Sequence, residues 1–405
     1  MTAAGQGAQP LRLYLVAAEE SGDALGGALM QALRGLVPDV AFAGVGGRAM
    51  AAQGIVSLFP TDDLSIIGIG SIPRKLPLIL RSIRATADAV IAARPDALII
   101  IDSPDFTHRV ARRVRKAAPT IPIINYAPPT VWAWRPWRAR AMRRYVDEVL
   151  AILPFEPAAF ARLRGPTCSY VGHPLAERIN DLRPGPQEAG RRSAAPPLVL
   201  VLPGSRGSEI RRLGAIFGAA VGQVAAQAGP IDLVLPTLPH IAALVREAVA
   251  GWPLQPRIVT SAVEKYAAFR SARAALAASG TVTLELALAQ VPTVAAYRIP
   301  AWEGLIFRMM AHIDTAILAN LVLGEHAVPE YLQGDCTPER LAAGLVSILG
   351  DTPQRQRQID AFARLDTILG LSQEAASLRA ARAVLEVIGK HGPRAAERLP
   401  SSPRS

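Results

Sequence analysis

"LVLVLPGSRGSEIRRL" (residues 198–213) decides the fold of this chain. The apolar run reads as a strand, Gly204 and Gly207 open a loop, and the residues beyond take up helical spacing. A strand, glycine loop and helix at mid-chain restart a pattern the first half has already run through. There "LRLYLVAA" leads into "GDALGGALMQALRGL", and "VAFAGVGG" follows. "DALIIID" precedes "HRVARRVRKA", and "IPIINYAPP" and "EVLAILPF" are further strands. After residue 213, "IDLVLPTL" and "PRIVT" are strands, and "ARAALAASGTVTLELALAQVPTVAAYR" is a whole βαβ unit. Strand and helix in turn predict parallel, doubly wound sheets. The expected fold is α/β: two Rossmann-like domains whose parallel sheets face each other across a cleft. "LRPGPQEAGRRSAAPP", rich in Pro, Gly and charge, connects them. The domains are set at 1–175 and 176–388, with the last helices able to pack back on the first. Residues 389–405 read as a disordered tail.

Half of the 405 residues are hydrophobic, ample for two cores. The net charge is +11, and residues 1–175 hold 20 Lys+Arg against 13 Asp+Glu, so the excess leans to the first half. A basic protein suits a polyanion: nucleic acid, an anionic membrane or a phosphorylated substrate. Cys168 and Cys336 are far apart and in no CxxC pattern, which argues against a disulfide framework or zinc site and fits a reducing cytoplasm. "LRLYLVAA" runs straight into Glu19 and Glu20, so it reads as a buried strand and not a signal peptide. No run of about 18 apolar residues exists, so membrane contact is expected to be peripheral.

Ligands of open parallel sheets bind beyond the carboxyl ends of the strands. Four loops there are loaded with polar groups. "AAEESGDALGG" places Ser21, Gly22 and Asp23 at a helix start, suited to an anion or sugar hydroxyls, with Glu19 beside them. A plain N-cap is the competing reading. "IIIDSPDF" puts Asp102 just past an apolar strand, where it can accept a proton, and Asp105 is the better helix cap. "LPGSRGSEI" offers Ser205, Arg206 and Glu209 around two glycines, like a phosphate loop without its lysine. "ASGTVTLE" offers Ser279, Gly280 and Thr281 to a pyrophosphate, with Glu285 one turn on and able to accept from a ribose hydroxyl. Capping is the alternative for Thr281. Two anion-ready loops in the second half and a carboxylate in the first favour a nucleotide donor facing an acceptor. No DxD is present, so neither a metal nor another cofactor is expected.

With these loops in hand the chain resembles the lipid-A-disaccharide synthases, inverting glycosyltransferases of the GT-B class. The likeness runs from about residue 13 to 385 through "EESGD", "GVGG", "IDSPDF", "TVWAW", "LPFEP", "YVGHPLAE", "LPGSRGSEI", "ASGTVTLE", "VPTVAAYR" and "VPEYLQ". The resemblance implies transfer from UDP-2,3-diacylglucosamine to 2,3-diacylglucosamine 1-phosphate (lipid X), giving a β-1,6 disaccharide 1-phosphate and UDP. It implies Asp102 as base on the acceptor hydroxyl and Arg206 on phosphate. It also implies Asn320 facing the nucleotide and Glu285 gripping ribose. The first domain would then face acceptor and membrane, and the second would hold the UDP-sugar. It places the enzyme in the cytoplasm, peripheral on the inner face of the inner membrane, and a homodimer is left open. Two stretches depart from the family pattern: "IGIGSIP" has Ser71 in place of a glutamate, and "APPTVWAW" carries Ala127-Pro128.

"TVWAWRPWRARAMRRY" concentrates Trp132, Trp134 and Trp137 among arginines. Pro136 suits the first turn of a helix running to about Tyr145. Trp132 and Trp134 read as a packed wall near Asp102. Such a mixture also suits nucleic acid, but no binding module accompanies it, and no nucleic-acid partner is expected. A UDP-sugar epimerase, or another UDP-sugar transferase on this fold, is the nearer alternative. Residues 64–84 and 301–323 are more apolar than an epimerase should expose. The first, with Arg74, Lys75, Arg81 and Arg84, reads as a membrane-docking segment.

Overall fold

The computed structural model describes residues 10–61, 72–300 and 314–391. The chain divides into two units, 1–174 with 373–405, and 175–372. Each holds a six-stranded, all-parallel sheet. In the first unit the strands are β1 (Leu11–Ala17), β2 (Val40–Val45), β3 (Ala97–Ile101), β4 (Ile123–Tyr126), β5 (Glu148–Ala151) and β6 (Thr167–Tyr170). Their spatial order is β2-β1-β3-β4-β5-β6. In the second they are β7 (Leu198–Leu202), β8 (Asp232–Pro236), β9 (Arg257–Val259), β10 (Ala274–Ala278), β11 (Thr293–Tyr297) and β12 (Glu330–Leu332). Their order is β12-β11-β10-β7-β8-β9.

The strand sequences explain the parallel arrangement. "ALIII", "LVLVL" and "AALAA" are buried at every position, as strands with helices on both faces must be. In the first unit, α1 (Glu20–Leu36) covers one face and α4 (Pro104–Ala117) the other. Between them lie α2 (Arg48–Ala52) and α3 (Ile72–Ala93). The chain then returns. The helix Ala376–His391 buries Ala380, Ala381, Val384, Val387 and Ile388 in the same core as Leu29 and Leu33 of α1. That helix continues through His391, three residues into the segment read as a disordered tail; residues 392–405 lie outside the described part.

Each sheet has one point where its strand order reverses. In the first it lies between β1 and β3, and in the second between β7 and β10. Loops leaving the strands at such a point diverge to opposite faces and leave a crevice. The four polar loops of the sequence are the ones that follow β1, β3, β7 and β10.

Candidate functional site

In the first unit the site is built on the end of β3. Asp102 and Ser103 both take left-handed backbone conformations, with φ of 52° and 42°. Non-glycine residues rarely adopt these, so the turn is held by its surroundings. Asp102 Oδ1 accepts from the Ser103 amide at 2.7 Å, and Oδ2 accepts from Ser21 Oγ at 2.7 Å. Thr107 Oγ1 donates to the Asp102 carbonyl at 2.7 Å. Gly22 lets α1 approach: a Cβ there would lie 3.2 Å from the Ile101 carbonyl. The result is a half-buried carboxylate with a fixed direction.

Its expected neighbours divide. Ser21 reaches Asp102, and Glu19 stands before α1. Asp23 turns toward the start of α2. Its carboxylate is 7% exposed and accepts from the amides of Gly47, Ala49 and Met50 at 2.7, 2.8 and 3.0 Å. It holds the start of α2, a structural role that stands beside the expected substrate contact. Asp105 lies in the first turn of α4 rather than at its cap, with a side chain 80% exposed and paired to Arg138 at 3.0 Å.

The three clustered tryptophans have three environments. Trp132 is buried, packs edge-on against Phe155 at 5.0 Å, and donates to Glu156 Oε1 at 3.2 Å. Burial pushes the Glu156 carboxyl up to about 7, against the pull of the Leu153 amide and the indole N–H. Trp134 is half-buried, with the Arg135 guanidinium 5.5 Å from its ring. Trp137 is 62% exposed. The helix here, α5, spans only Trp137–Met142, and Pro136 precedes it. It is shorter than expected because the chain turns through Arg143 and Arg144 to bury Tyr145.

In the second unit the two polar loops meet. Ser205, Arg206, Glu209, Ser279, Gly280, Thr281 and Glu285 line one cavity of about 320 Å³, with Thr237 and Lys265. Glu285 pairs with Lys265 at 2.7 Å. Glu209 is turned inward: its carboxylate accepts from the Ser205 and Arg206 amides at 3.0 and 3.2 Å and from the Tyr297 hydroxyl at 3.3 Å. Those two amides therefore close the loop on Glu209 instead of standing free. Gly204, at φ 120°, permits this, since a Cβ would sit 2.3 Å from Glu209 Oε2. The Arg206 side chain is 75% exposed and pairs with Glu209 Oε1 at 3.3 Å. Ser279 Oγ donates to the Ala316 carbonyl at 2.6 Å.

Asn320 also bonds within the protein. It is 1% exposed, with Oδ1 accepting from the Val328 amide at 2.8 Å and Nδ2 donating to the Val328 carbonyl at 2.9 Å. Nδ2 also lies 3.3 Å from Thr315 Oγ1, so the side chain braces the segments at Thr315 and Val328. Lys265 and Thr237 were missed by sequence reasoning. Neither belongs to a glycine loop, and only the fold carries them to the cavity. Among the described residues, no three His, Cys, Asp or Glu side chains converge as a metal site would require. Nor is any described helix long and apolar enough to cross a membrane.

Comparison with known proteins adds to this geometry. A family model described as lipid-A-disaccharide synthetase matches residues 13–387. The lipid-A-disaccharide synthase of Rhodopseudomonas palustris strain HaA2 is 59% identical over 381 residues, covering 94% of this chain and 97% of that protein. Among solved structures, the UDP-GlcNAc 2-epimerase of Neisseria meningitidis, bound to UDP-GlcNAc, is similar with a TM-score of 0.61 at 11% identity, over 94% of this chain and 99% of that one. The calicheamicin glycosyltransferase gives 0.57 at 17% identity, over 95% and 100%. These structural likenesses speak to fold, which is GT-B, and do not separate transferase from epimerase. The sequence identity does separate them, and it does not favour the epimerase. On that identity, carried along nearly the whole length, the chain belongs to the lipid-A-disaccharide synthetase family and is a hexosyltransferase of lipid A biosynthesis.

Proposed function

We propose that the chain transfers diacylglucosamine from UDP-2,3-diacylglucosamine to the 6-hydroxyl of 2,3-diacylglucosamine 1-phosphate. The observation that carries this reading is the directed carboxylate of Asp102, held by Ser21 and Ser103 at the switch point of the first sheet. Asp102 takes the hydroxyl proton as the acceptor oxygen attacks C1 of the donor sugar. The C1–O bond to UDP breaks, UDP leaves with the bonding pair, and attack from the opposite face gives the β-linkage. Glu19 and Ser21 border the acceptor. The donor diphosphate lies in the cavity of the second unit, with Arg206, Ser205 and the Ser279–Thr281 loop on its oxygens and Glu285 on the ribose. Lys265, beside Glu285, supplies a second cation for the charge that develops on UDP.

The test is a mass-spectrometric transfer assay. Disaccharide should form from the diacylated donor, and unacylated UDP-N-acetylglucosamine should give none. Two cations already face the diphosphate site, so EDTA should leave the rate within about twofold. Loss of activity in EDTA that magnesium restores would show that a divalent ion is needed. Epimerised UDP-sugar formed without acceptor would overturn the transferase reading.

A lipid acceptor requires the enzyme to visit the bilayer, at the cytoplasmic face of the inner membrane. Ile66, Ile67 and Ile69 of the expected docking segment, and Ser71, lie outside the described residues, as do residues 301–313. The described part of α3 supports the proposal: Leu76, Leu78 and Leu80 are exposed, and so are Arg81 and Arg84. Exposed leucines beside cations suit an anionic interface. Replacing the three leucines by serine should weaken binding to phosphatidylglycerol vesicles by about tenfold or more, since each inserted leucine contributes on the order of 1 kcal/mol. Unchanged vesicle sedimentation would move the docking surface elsewhere.

A further inference from the structure

Beneath the Asp102 turn lies a set of buried polar side chains that the proposed chemistry does not use. Asn125, on β4, is fully buried. Its Nδ2 lies 3.3 Å from the Ile100 carbonyl and 3.4 Å from the Tyr126 carbonyl. The Tyr126 carbonyl also accepts from the Asp102 amide, at 3.2 Å. His108, one turn into α4, is buried with Nδ1 3.0 Å from the Tyr145 hydroxyl. Arg112 donates to that same hydroxyl at 3.2 Å and stacks on the Tyr145 ring at 4.8 Å.

The hydrogens can be assigned from these contacts. Arg112 has only donors, so the Tyr145 oxygen accepts from it and its own proton goes to His108 Nδ1. Burial, helped by Arg112 and Arg138, lowers the imidazole to about 4 and keeps it neutral. The single ring proton is then on Nε2. The Asn125 carboxamide lies beside the ring, and His108 Nε2 and Asn125 Oδ1 are both buried without a hydrogen-bond partner. Arg112, Tyr145 and His108 are hydrogen-bonded in that order; Asn125 lies next to the imidazole without a bond to it, and from Asn125 the contacts run on to the Tyr126 carbonyl and the Asp102 amide. They end on two successive non-glycine residues with positive φ. Such a conformation persists only where the surroundings over-determine it, and a half-satisfied buried chain is costly.

We propose that His108, Asn125 and Tyr145 are positioning residues for Asp102, holding its left-handed turn, and so the aim of its carboxylate, from inside the first unit. This rests on Asp102 being the base, and the test separates the two claims. Turnover is measured for Asp102→Asn, Asn125→Leu, Tyr145→Phe and the combinations with Asp102→Asn, with acceptor KM and UDP affinity alongside. Asn125→Leu should lower kcat about tenfold with KM and UDP affinity within about twofold, and Tyr145→Phe about threefold. Added to Asp102→Asn, each should cost less than about twofold, because a residue that acts through a carboxylate has nothing to aim once it is gone. Equal fold losses in both backgrounds, or a lower Tm with kcat per folded molecule unchanged, would overturn the proposal. If Asn125→Leu does not fold, Tyr145→Phe carries the cycle, since it removes one oxygen and leaves the ring packed. An active Asp102→Asn would instead sink the base assignment itself.

Discussion

Asp102→Asn is expected to lower turnover by about a hundredfold or more, the range for loss of a general base. The variant is well suited to the question because its geometry should survive. Asn keeps an Oδ1 to accept from the Ser103 amide, and its Nδ2 can donate to Ser21 Oγ, where the carboxylate oxygen now accepts at 2.7 Å. The turn should stay in place, and only basicity is lost. UDP affinity should be unchanged, because the donor cavity is built from residues of the other unit. The expected signature is therefore a fall in kcat at constant Tm and constant UDP binding. Near-normal turnover would show that Asp102 only shapes the turn. Asp105 would then be the next carboxylate to test, although it is exposed and already paired with Arg138.

The sheets were legible because "LVLVL" and "ALIII" are apolar at every position, a pattern that only strands covered on both faces require. That the four polar loops follow strand ends was legible for a related reason. Polar residues just past such strands have nowhere to go but the carboxyl end of the sheet. What each polar residue does there was much less legible. Asp23, Glu209 and Asn320 all belong to motifs that resemble ligand loops, yet their oxygens accept from backbone amides. A buried carboxylate that closes a loop and one that grips a sugar have the same sequence, because the partner amide carries no residue identity. The reverse error left out Lys265, His108 and Asn125. Each is a single residue on a helix or strand, and its partner is brought near only by strand order, as β4 beside β3 brings Asn125 under Asp102. The arginines of "TVWAWRPWRARAMRRY" were legible as a set but not singly. Arg138 pairs with Asp105, and Arg135 lies over Trp134.

Asp23→Ala should decide between the two readings of that residue, with a large effect on stability and a small one on substrate affinity. Its carboxylate is the cap of a helix distant in sequence: the Gly47, Ala49 and Met50 amides open α2 and have no other acceptor of that charge. Hydrogen bonds to a charged group contribute about 1.5–3 kcal/mol each, and donors left buried cost about as much again. Bonds sharing one carboxylate are not additive, so a loss of about 3 kcal/mol or more is the fair expectation. For a unit of this size that is a drop of roughly 6–12 °C in the melting of the first unit, read by calorimetry so that the two units are seen separately. Alanine cannot restore the contacts. Asn keeps one acceptor and should recover part of the loss. Catalysis should suffer only indirectly, because Asp23 and Ser21 share the first turn of α1, and loosening that turn disturbs the Ser21 bond to Asp102. The expected kinetic pattern is thus a modest fall in kcat, with acceptor and donor KM unchanged. An unchanged melting temperature together with a raised acceptor KM would return Asp23 to the substrate. It would also mean that the amides of Gly47, Ala49 and Met50 find another partner when substrate arrives.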